Sequence, residues 1–385
     1  MSKKKRRIAV LGSTGSIGEN ALKIIRHLSS ELELTGIAAR NNCKRLAEQA
    51  KELGAKFAVV RDESKLEELK SMLPKGVHAL AGLEGLIQLA TNKNVDMVLC
   101  AIVGIEGIFP VLEAIKAKKD IAIASKEVLV LAGDIVMNEV RKNKVAFIPV
   151  DSEHSAVFQC IEGRKHSEIR KIILTASGGP FRGWKREKLS TVSFADALNH
   201  PTWDMGPKVT VDSATMMNKA LEIIEAGHLF DLPAEKIEVV IHPQSVVHSM
   251  VEFLDGTILA QLSPPNMCYP IQNALTYPLR HHGIAEPLDF AKFATLTFEK
   301  PDIETFPSIK FAYQALKKGG TLPAVMNAAN EIAFERFKKG EISFTQIWDI
   351  IENTMNVHEP LDAPKLNAIL KADLWARSFA SNLVL

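Results

Sequence analysis

RRIAVLGSTGSIGENALKII, residues 6–25, decides the fold. A β-branched apolar run at 8–11 leads into Gly12, Gly15 and Gly18, and a helical pattern begins directly behind them. Strand, glycine turn and helix in that order open a dinucleotide-binding domain. The glycines let the backbone turn tightly and approach a pyrophosphate, which rests on free N–H groups at the helix N-terminus. The spacing is G-x-x-G-x-x-G, a variant of the usual fingerprint, so the flanking strand and helix carry the reading together with the glycines.

Outward from this unit, apolar runs at 8–11, 34–39, 57–60, 95–103, 121–124 and 145–150 alternate with amphipathic stretches such as 20–28, 44–53 and 108–117. Alternation of this kind predicts a parallel sheet with crossover helices. The expected fold class is α/β, with a Rossmann-like doubly wound domain over 1–150. Beyond it, short runs at 238–241, 248–253 and 257–262, with Asp255-Gly256 as a hairpin turn, predict a central α+β domain over 151–285. Residues 286–308, rich in Pro, Phe and Asp, read as a connector. Helical patterns at 324–337 and 344–355 place a helical bundle at 309–385.

Composition narrows the function classes. A chain of 385 residues exceeds one ordinary core. The formal net charge of +2 gives no argument for nucleic acid or a membrane surface, so an anionic substrate has to be caught by local cations. Four cysteines, Cys43, Cys100, Cys160 and Cys268, stand far apart without a C-x-x-C pair, as reduced thiols in a cytoplasm do. The basic start MSKKKRR has no signal-peptide core behind it, and no run reaches the roughly 18 apolar residues of a membrane span.

Several segments carry candidate chemistry. LTGIAARNN, 34–42, ends the second run with Arg40 and amides where an acid selects NAD; a cation there favours NADP, unless Arg40 is a solvated loop charge. FIPVDSEH, 147–154, runs into Asp151 and Glu153. On an extended backbone both would face one ion while Ser152 and His154 point away, though a solvated strand end fits equally well. VTVDSATMMNKALEIIEAGHLF, 209–230, predicts a helix after Ser213 with Asn218, Lys219 and Glu222 on one face and Met217, Leu221 and Ile224 on the other. A surface Lys–Glu pair is the commoner meaning of such a pattern. Beside Asp151 and Glu153, however, Glu222 supplies a third oxygen, and three carboxylates without Cys or His suit Mg²⁺ or Mn²⁺ rather than zinc.

Lys126, in IAIASKEVLV, stands past a strand end as an oxyanion contact or a helix-start charge. Ser177-Gly178-Gly179 is an anion nest or, on its own, more simply a tight turn. The loop 199–208, with His200, Trp203 and Met205 among Pro and Gly, fits a lid or a packed surface loop. His242, His248, His281 and His282 suggest a zinc site, but His242 and His248 straddle a strand-like run and lack ligand partners, so ordinary packing is the preferred reading.

Taken together, GSTGSIG, ASKE, PVDSEH, ASGGPFR, HPTWDMG, VDSATMMNKALE, IHPQSVVHSM and NAANE follow an order and spacing similar to the 1-deoxy-D-xylulose 5-phosphate reductoisomerases, over essentially the whole chain. The resemblance implies an NADP-dependent oxidoreductase that rearranges 1-deoxy-D-xylulose 5-phosphate and reduces it to 2-C-methyl-D-erythritol 4-phosphate in isoprenoid precursor synthesis. It implies NADPH and Mn²⁺ or Mg²⁺, with Co²⁺ also accepted, as cofactors, a cytoplasmic homodimer, and no nucleic-acid or membrane partner. It lays the metal on Asp151, Glu153 and Glu222. NADPH falls on Thr14, Gly15, Ser16, Ile17, Ala39, Arg40, Asn41, Ser125, Glu127 and Gly206. Substrate contacts fall on Lys126, Ser152 and Glu153 near its oxygens and on Ser177, His200, Ser213, Asn218 and Lys219 near its phosphate, with Glu222 beside them; Lys126, Glu153 and His200 take the catalytic roles. This chain departs from the family in carrying Ala39-Arg40 where Gly-Lys is frequent and Ser125 where Asn is. Arginine keeps the charge, so the preference for NADPH should survive.

Two rivals make different demands. A metal-independent dehydrogenase of a phosphorylated aldehyde leaves three carboxylates unexplained and is insensitive to EDTA. A nucleotide-sensing regulator needs only the first domain and never oxidises NADPH.

Overall fold

The structure, a computed structural model, describes residues 5–203, 205–292 and 295–384. The first four residues of the basic start, Asp204 of the expected lid, 293–294 of the connector and Leu385 lie outside the described residues. The chain forms two compact units interleaved in sequence: Met1–Val128, Val136–Phe158 and Asn266–Glu286 in one, Leu129–Ile135, Gln159–Pro265 and Pro287–Leu385 in the other.

The first unit is built on seven strands: β1 (Arg6–Leu11), β2 (Leu32–Ala39), β3 (Phe57–Val60), β4 (His78–Ala81), β5 (Met97–Cys100), β6 (Asp120–Ile123) and β7 (Phe147–Pro149). All pair in parallel, in the order β4-β3-β2-β1-β5-β6-β7. Ile8, Ala9, Val10 and Leu11 have no exposed surface, the continuous burial that a strand covered on both faces requires. The order reverses between β1 and β5, and doubly wound sheets bind their ligands at such a switch point. The helices α1 (Ser16–His27), α2 (Cys43–Leu53), α3 (Leu66–Met72), α4 (Gly82–Ala90), α5 (Ile108–Lys116), α6 (Lys126–Asn143) and α7 (Ser152–Ile161) follow successive strands. α2 is closed at both ends, by the Asn42 side chain on the Arg45 N–H and by left-handed Gly54, φ 67°.

At β7 the structure corrects the sequence. The expected extended backbone through Asp151 and Glu153 does not form, because β7 ends at Pro149 and α7 begins at Ser152. Asp151 opens this helix: its Oδ1 accepts the Glu153 N–H at 3.2 Å and its carbonyl accepts the Ser155 N–H at 2.8 Å. Asp followed by Ser-Glu favours a helix start over an extended strand. His154 consequently does not point away; its Nδ1 lies 3.7 Å from Asp151 Oδ1.

The second unit holds β8 (Ile169–Ala176), β9 (Ile237–Ile241), β10 (Val247–Phe253) and β11 (Ile258–Leu262), in the order β11-β10-β8-β9. β8 and β9 are parallel and the other pairs antiparallel. The expected hairpin joins β10 to β11, with Gly256 at φ 83° and Asp255 accepting the Thr257 N–H at 2.9 Å. Its helices are α8 (Arg186–Leu189), α9 (Phe194–Ala197), α10 (Pro207–Ala214) and α11 (Met217–Leu229); α12 (Cys268–Thr276) belongs to the first unit and packs into its core through Ile271, Ala274 and Leu275. α13 (Ser308–Lys318), α14 (Leu322–Lys338), α15 (Gln346–Val357) and α16 (Leu366–Asn382) form the C-terminal bundle around Phe344 and Trp348, whose rings meet edge to face at 5.3 Å.

A second correction concerns 209–230. Ser213 lies inside α10, and Met216, left-handed at φ 64°, separates α10 from α11, so two helices stand where one was expected.

Candidate active site

In the first unit the loop behind β1 has the shape its glycines allow. Gly12 turns at φ 92°, and a Cβ there would stand 2.4 Å from the Ala101 carbonyl oxygen; one on Gly18 would stand 2.3 Å from the Gly12 oxygen. Only glycine fits at either position. Gly15 differs: its φ is −84° and no atom lies closer than 3.6 Å to its added Cβ. Gly15 and Ser16 are exposed, Thr14 and Ile17 half-buried, and no side chain caps the start of α1. The helix thus offers its first N–H groups to an anion. Past β2, Arg40 and Asn41 are exposed and Ala39 is buried, so the cation stands in solvent at the expected ribose position.

Ser125 and Glu127 have local duties. The Ser125 hydroxyl donates to the Ile102 carbonyl at 2.6 Å, and Glu127 accepts the Gly104 N–H at 2.7 Å, so both brace the loop after β5. Between them, Lys126 donates to Asp151 Oδ2 at 2.5 Å. The contact follows from topology, since β6 and β7 are neighbours and these residues lie just beyond their C-terminal ends. Ser152 donates its hydroxyl to Glu153 Oε2 at 2.5 Å.

In the second unit Glu222 has no exposed surface and Lys219 is 3% exposed, which removes the surface-pair reading. Lys219 donates to Glu222 Oε2, and the Asn218 amide donates to Oε1 at 2.5 Å. A buried carboxylate needs such partners, because desolvating it alone is costly. Behind β8, Gly178 and Gly179 take φ 85° and 66°, and a Cβ on Gly179 would stand 2.7 Å from the Ser213 carbonyl oxygen. The turn behind β8 thereby lies against the Ser213 backbone. His200 Nδ1 accepts the Thr202 and Trp203 N–H groups at 3.1 and 2.9 Å, so the proton is assigned to Nε2, which donates to Ser177 Oγ at 3.0 Å. Burial holds the His200 pKa below its usual value, in keeping with a neutral ring. Gly206 is exposed, with nothing within 4 Å of its added Cβ, at the start of α10.

Comparison with known proteins decides the family. Residues 8–133 match the 1-deoxy-D-xylulose 5-phosphate reductoisomerase model, 147–230 its C-terminal domain model and 262–379 the DXP reductoisomerase C-terminal domain model. The reductoisomerase of Protochlamydia amoebophila (strain UWE25) is 50% identical over 374 residues, 97% of each chain, and that of Symbiobacterium thermophilum is 50% identical over 381 residues, 98% of each.

The chain belongs to the 1-deoxy-D-xylulose 5-phosphate reductoisomerase family.

Solved reductoisomerase structures agree in fold. The Zymomonas mobilis enzyme in complex with NADPH is 43% identical, with a TM-score of 0.93 and 98% of each chain covered. Another, in complex with NADPH, fosmidomycin and magnesium, is 37% identical, with a TM-score of 0.91 over 98% of this chain and 97% of that one.

Sequence reading of this reductoisomerase missed the groups that hold the break between α10 and α11. The Thr215 carbonyl accepts the Ser308 hydroxyl at 2.7 Å and the Trp348 indole N–H at 3.2 Å. Asp212, 4% exposed, accepts the Asn330 amide at 3.1 Å and pairs with Lys208. Apart from Lys208, four positions from Asp212, these partners lie 93 to 133 positions away and leave no local trace; among the distant ones the signal was Asn330 itself, a polar residue within the NAANE motif.

Proposed function

We propose that Asp151, Glu153 and Glu222 supply the oxygen ligands of one divalent cation in this reductoisomerase, and that the loop 12–18 with Arg40 and Asn41 receives NADPH. The enzyme converts 1-deoxy-D-xylulose 5-phosphate to 2-C-methyl-D-erythritol 4-phosphate, using NADPH and a divalent metal ion. The observation that carries the site assignment is the donor set: three carboxylates, one fully buried, in a chain matched along its whole length by reductoisomerases. Hard oxygen donors of this kind select Mg²⁺ or Mn²⁺. When bound, such an ion polarises the adjacent ketone and hydroxyl oxygens of the sugar, and NADPH supplies hydride to the rearranged aldehyde.

The protein's own groups do the rest. Asn218 and Lys219 fix both oxygens of Glu222, which sets their direction before an ion arrives. Lys126, already at Asp151, carries an ammonium to the oxygens of the substrate. The Ser177 hydroxyl, accepting from neutral His200, has its own proton free to donate to a phosphate oxygen, with Ser213, Asn218 and Lys219 completing that subsite. The loop 199–208 closes over this end, where binding energy remote from the reacting carbons positions the sugar and excludes water. The domain division follows: 1–150 for NADPH, 151–285 for chemistry, 286–308 as connector and 309–385 as the bundle that braces α10 and α11.

Two further features complete the reading. A homodimer in the cytoplasm is supported by the open edge of β11, where Ile258 is 48% exposed with Leu254 of the preceding turn 67% exposed, and by four free, buried cysteines. No helix among the described residues is long and apolar enough to cross a membrane. The deciding assay follows NADPH oxidation with 1-deoxy-D-xylulose 5-phosphate. Oxidation that needs Mg²⁺ or Mn²⁺ and stops with EDTA is expected; turnover indifferent to EDTA would return the metal-independent dehydrogenase.

A further inference from the structure

Three polar side chains of the first unit, outside the cofactor contacts assigned above, form one connected chain. Gln49 of α2 has no exposed surface. Its amide oxygen accepts the Ser13 hydroxyl at 2.7 Å, and its amide nitrogen donates to the Ser13 carbonyl at 3.0 Å and to Glu19 Oε1 at 2.9 Å. All of these bonds go to the glycine loop or to the first turn of the helix it opens. Burying an amide is costly unless it is satisfied, so this crosslink fixes where Ser13 stands relative to α2.

Glu19 receives in turn a two-pronged ion pair from Arg45, whose Nε and second guanidinium nitrogen lie 2.7 and 2.8 Å from its oxygens. The Arg45 backbone N–H is capped by Asn42 at 3.1 Å, two positions beyond Arg40. Bonded contacts therefore run from the turn at 40–42 through Arg45, Glu19 and Gln49 to Ser13.

Glu19 also creates an electrostatic conflict. An acid in the first turn favours an empty helix, but it repels an anion seated at the same N-terminus. The Nε and Nη2 fork of Arg45 offsets that charge at the shortest distances, its Nη1 lying 3.2 and 3.4 Å from Glu48 and Glu52 on its own helix, while Gln49 holds the loop in place.

We propose that Arg45, Glu19 and Gln49 are positioning residues for NADPH: Arg45 cancels the Glu19 charge at the mouth of α1, and Gln49 ties the pyrophosphate loop to the helix that follows the 2′-phosphate turn. This inference rests on assigning the pyrophosphate to the loop 12–18.

Titrating NADPH into the full-length protein tests it. Arg45→Met should raise the NADPH Kd by roughly tenfold, and adding Glu19→Gln should restore most of that loss, because the uncompensated charge is gone. Gln49→Met should raise KM for NADPH more than KM for the sugar phosphate. Wild-type affinity in Arg45→Met would overturn the proposal. So would failure of Glu19→Gln to rescue it in a double variant of unchanged thermal midpoint, since Arg45 would then act only through the fold. Gly15→Asp separates the two layers, because that site accepts a side chain without strain. If Gly15→Asp binds NADPH normally, the loop assignment itself fails. If Gly15→Asp loses NADPH and Arg45→Met does not, only the present inference falls.

Discussion

In the proposed site, Arg40 is the residue that would choose the cofactor, and His200 is a buried imidazole held in a fixed hydrogen-bonded arrangement. Arg40 stands exposed behind β2, with Asp62 donating its backbone N–H to the Arg40 carbonyl at 2.9 Å. A carboxylate in its place would repel a 2′-phosphate and accept ribose hydroxyls instead. Arg40→Asp is therefore expected to move the kcat/KM ratio towards NADH by at least roughly tenfold; an unchanged ratio would place the 2′-phosphate elsewhere. At His200 the sign follows from burial. Its folded-state pKa lies below the ordinary 6.5, so the folded form binds fewer protons than the unfolded chain. The contribution of neutral His200 to stability is complete above pH 6.5 and is lost as pH falls through the folded pKa. NMR titration of the imidazole should show a pKa below 6.5 and a proton on Nε2; a value above 6.5 would remove the Ser177 arrangement.

Among the elements, the strand–loop–helix of residues 6–25 is the most constrained. Gly12→Ala combines a left-handed residue with a Cβ 2.4 Å from the Ala101 oxygen, so a loss of about 2–4 kcal/mol is expected, read as a lower denaturant midpoint with weaker NADPH binding. An unchanged midpoint would mean that the loop relaxes freely. This element was legible because its glycines, apolar run and helix pattern are contiguous. The strands of the doubly wound sheet were legible for a similar reason, buried β-branched runs being local signals; β3 falls at the very residues expected, 57–60. β4, His-Ala-Leu-Ala at the sheet edge, carries no such signal and went unread. The run past β7 misled because period-two spacing was read through Asp151, where helix capping overrides strand alternation. For the candidate site, the acids and Lys219 were visible as residue types, but not the burial of Glu222 or the brace of Ser308 and Trp348 on Thr215. Those depend on partners that the fold alone brings close.

For the whole molecule, β11 leaves a sheet edge beside exposed Leu254 and Ile258, and exposed edges of this kind pair unless charged or covered. Sedimentation should show two chains per particle, and Ile258→Lys should shift the protein towards monomers; a wild-type monomer at micromolar concentration would remove the dimer. In the proposed metal site, carboxylates from distant parts of the sequence share one hard cation. Mn²⁺ titration followed by electron paramagnetic resonance, on the wild type, Asp151→Asn and Glu222→Gln, tests it without reference to turnover. One tightly held ion per chain, loosened in both variants while NADPH still binds, is the expected result. Wild-type Mn²⁺ affinity in Glu222→Gln would take Glu222 out of the cation site and leave the three carboxylates without a shared ion.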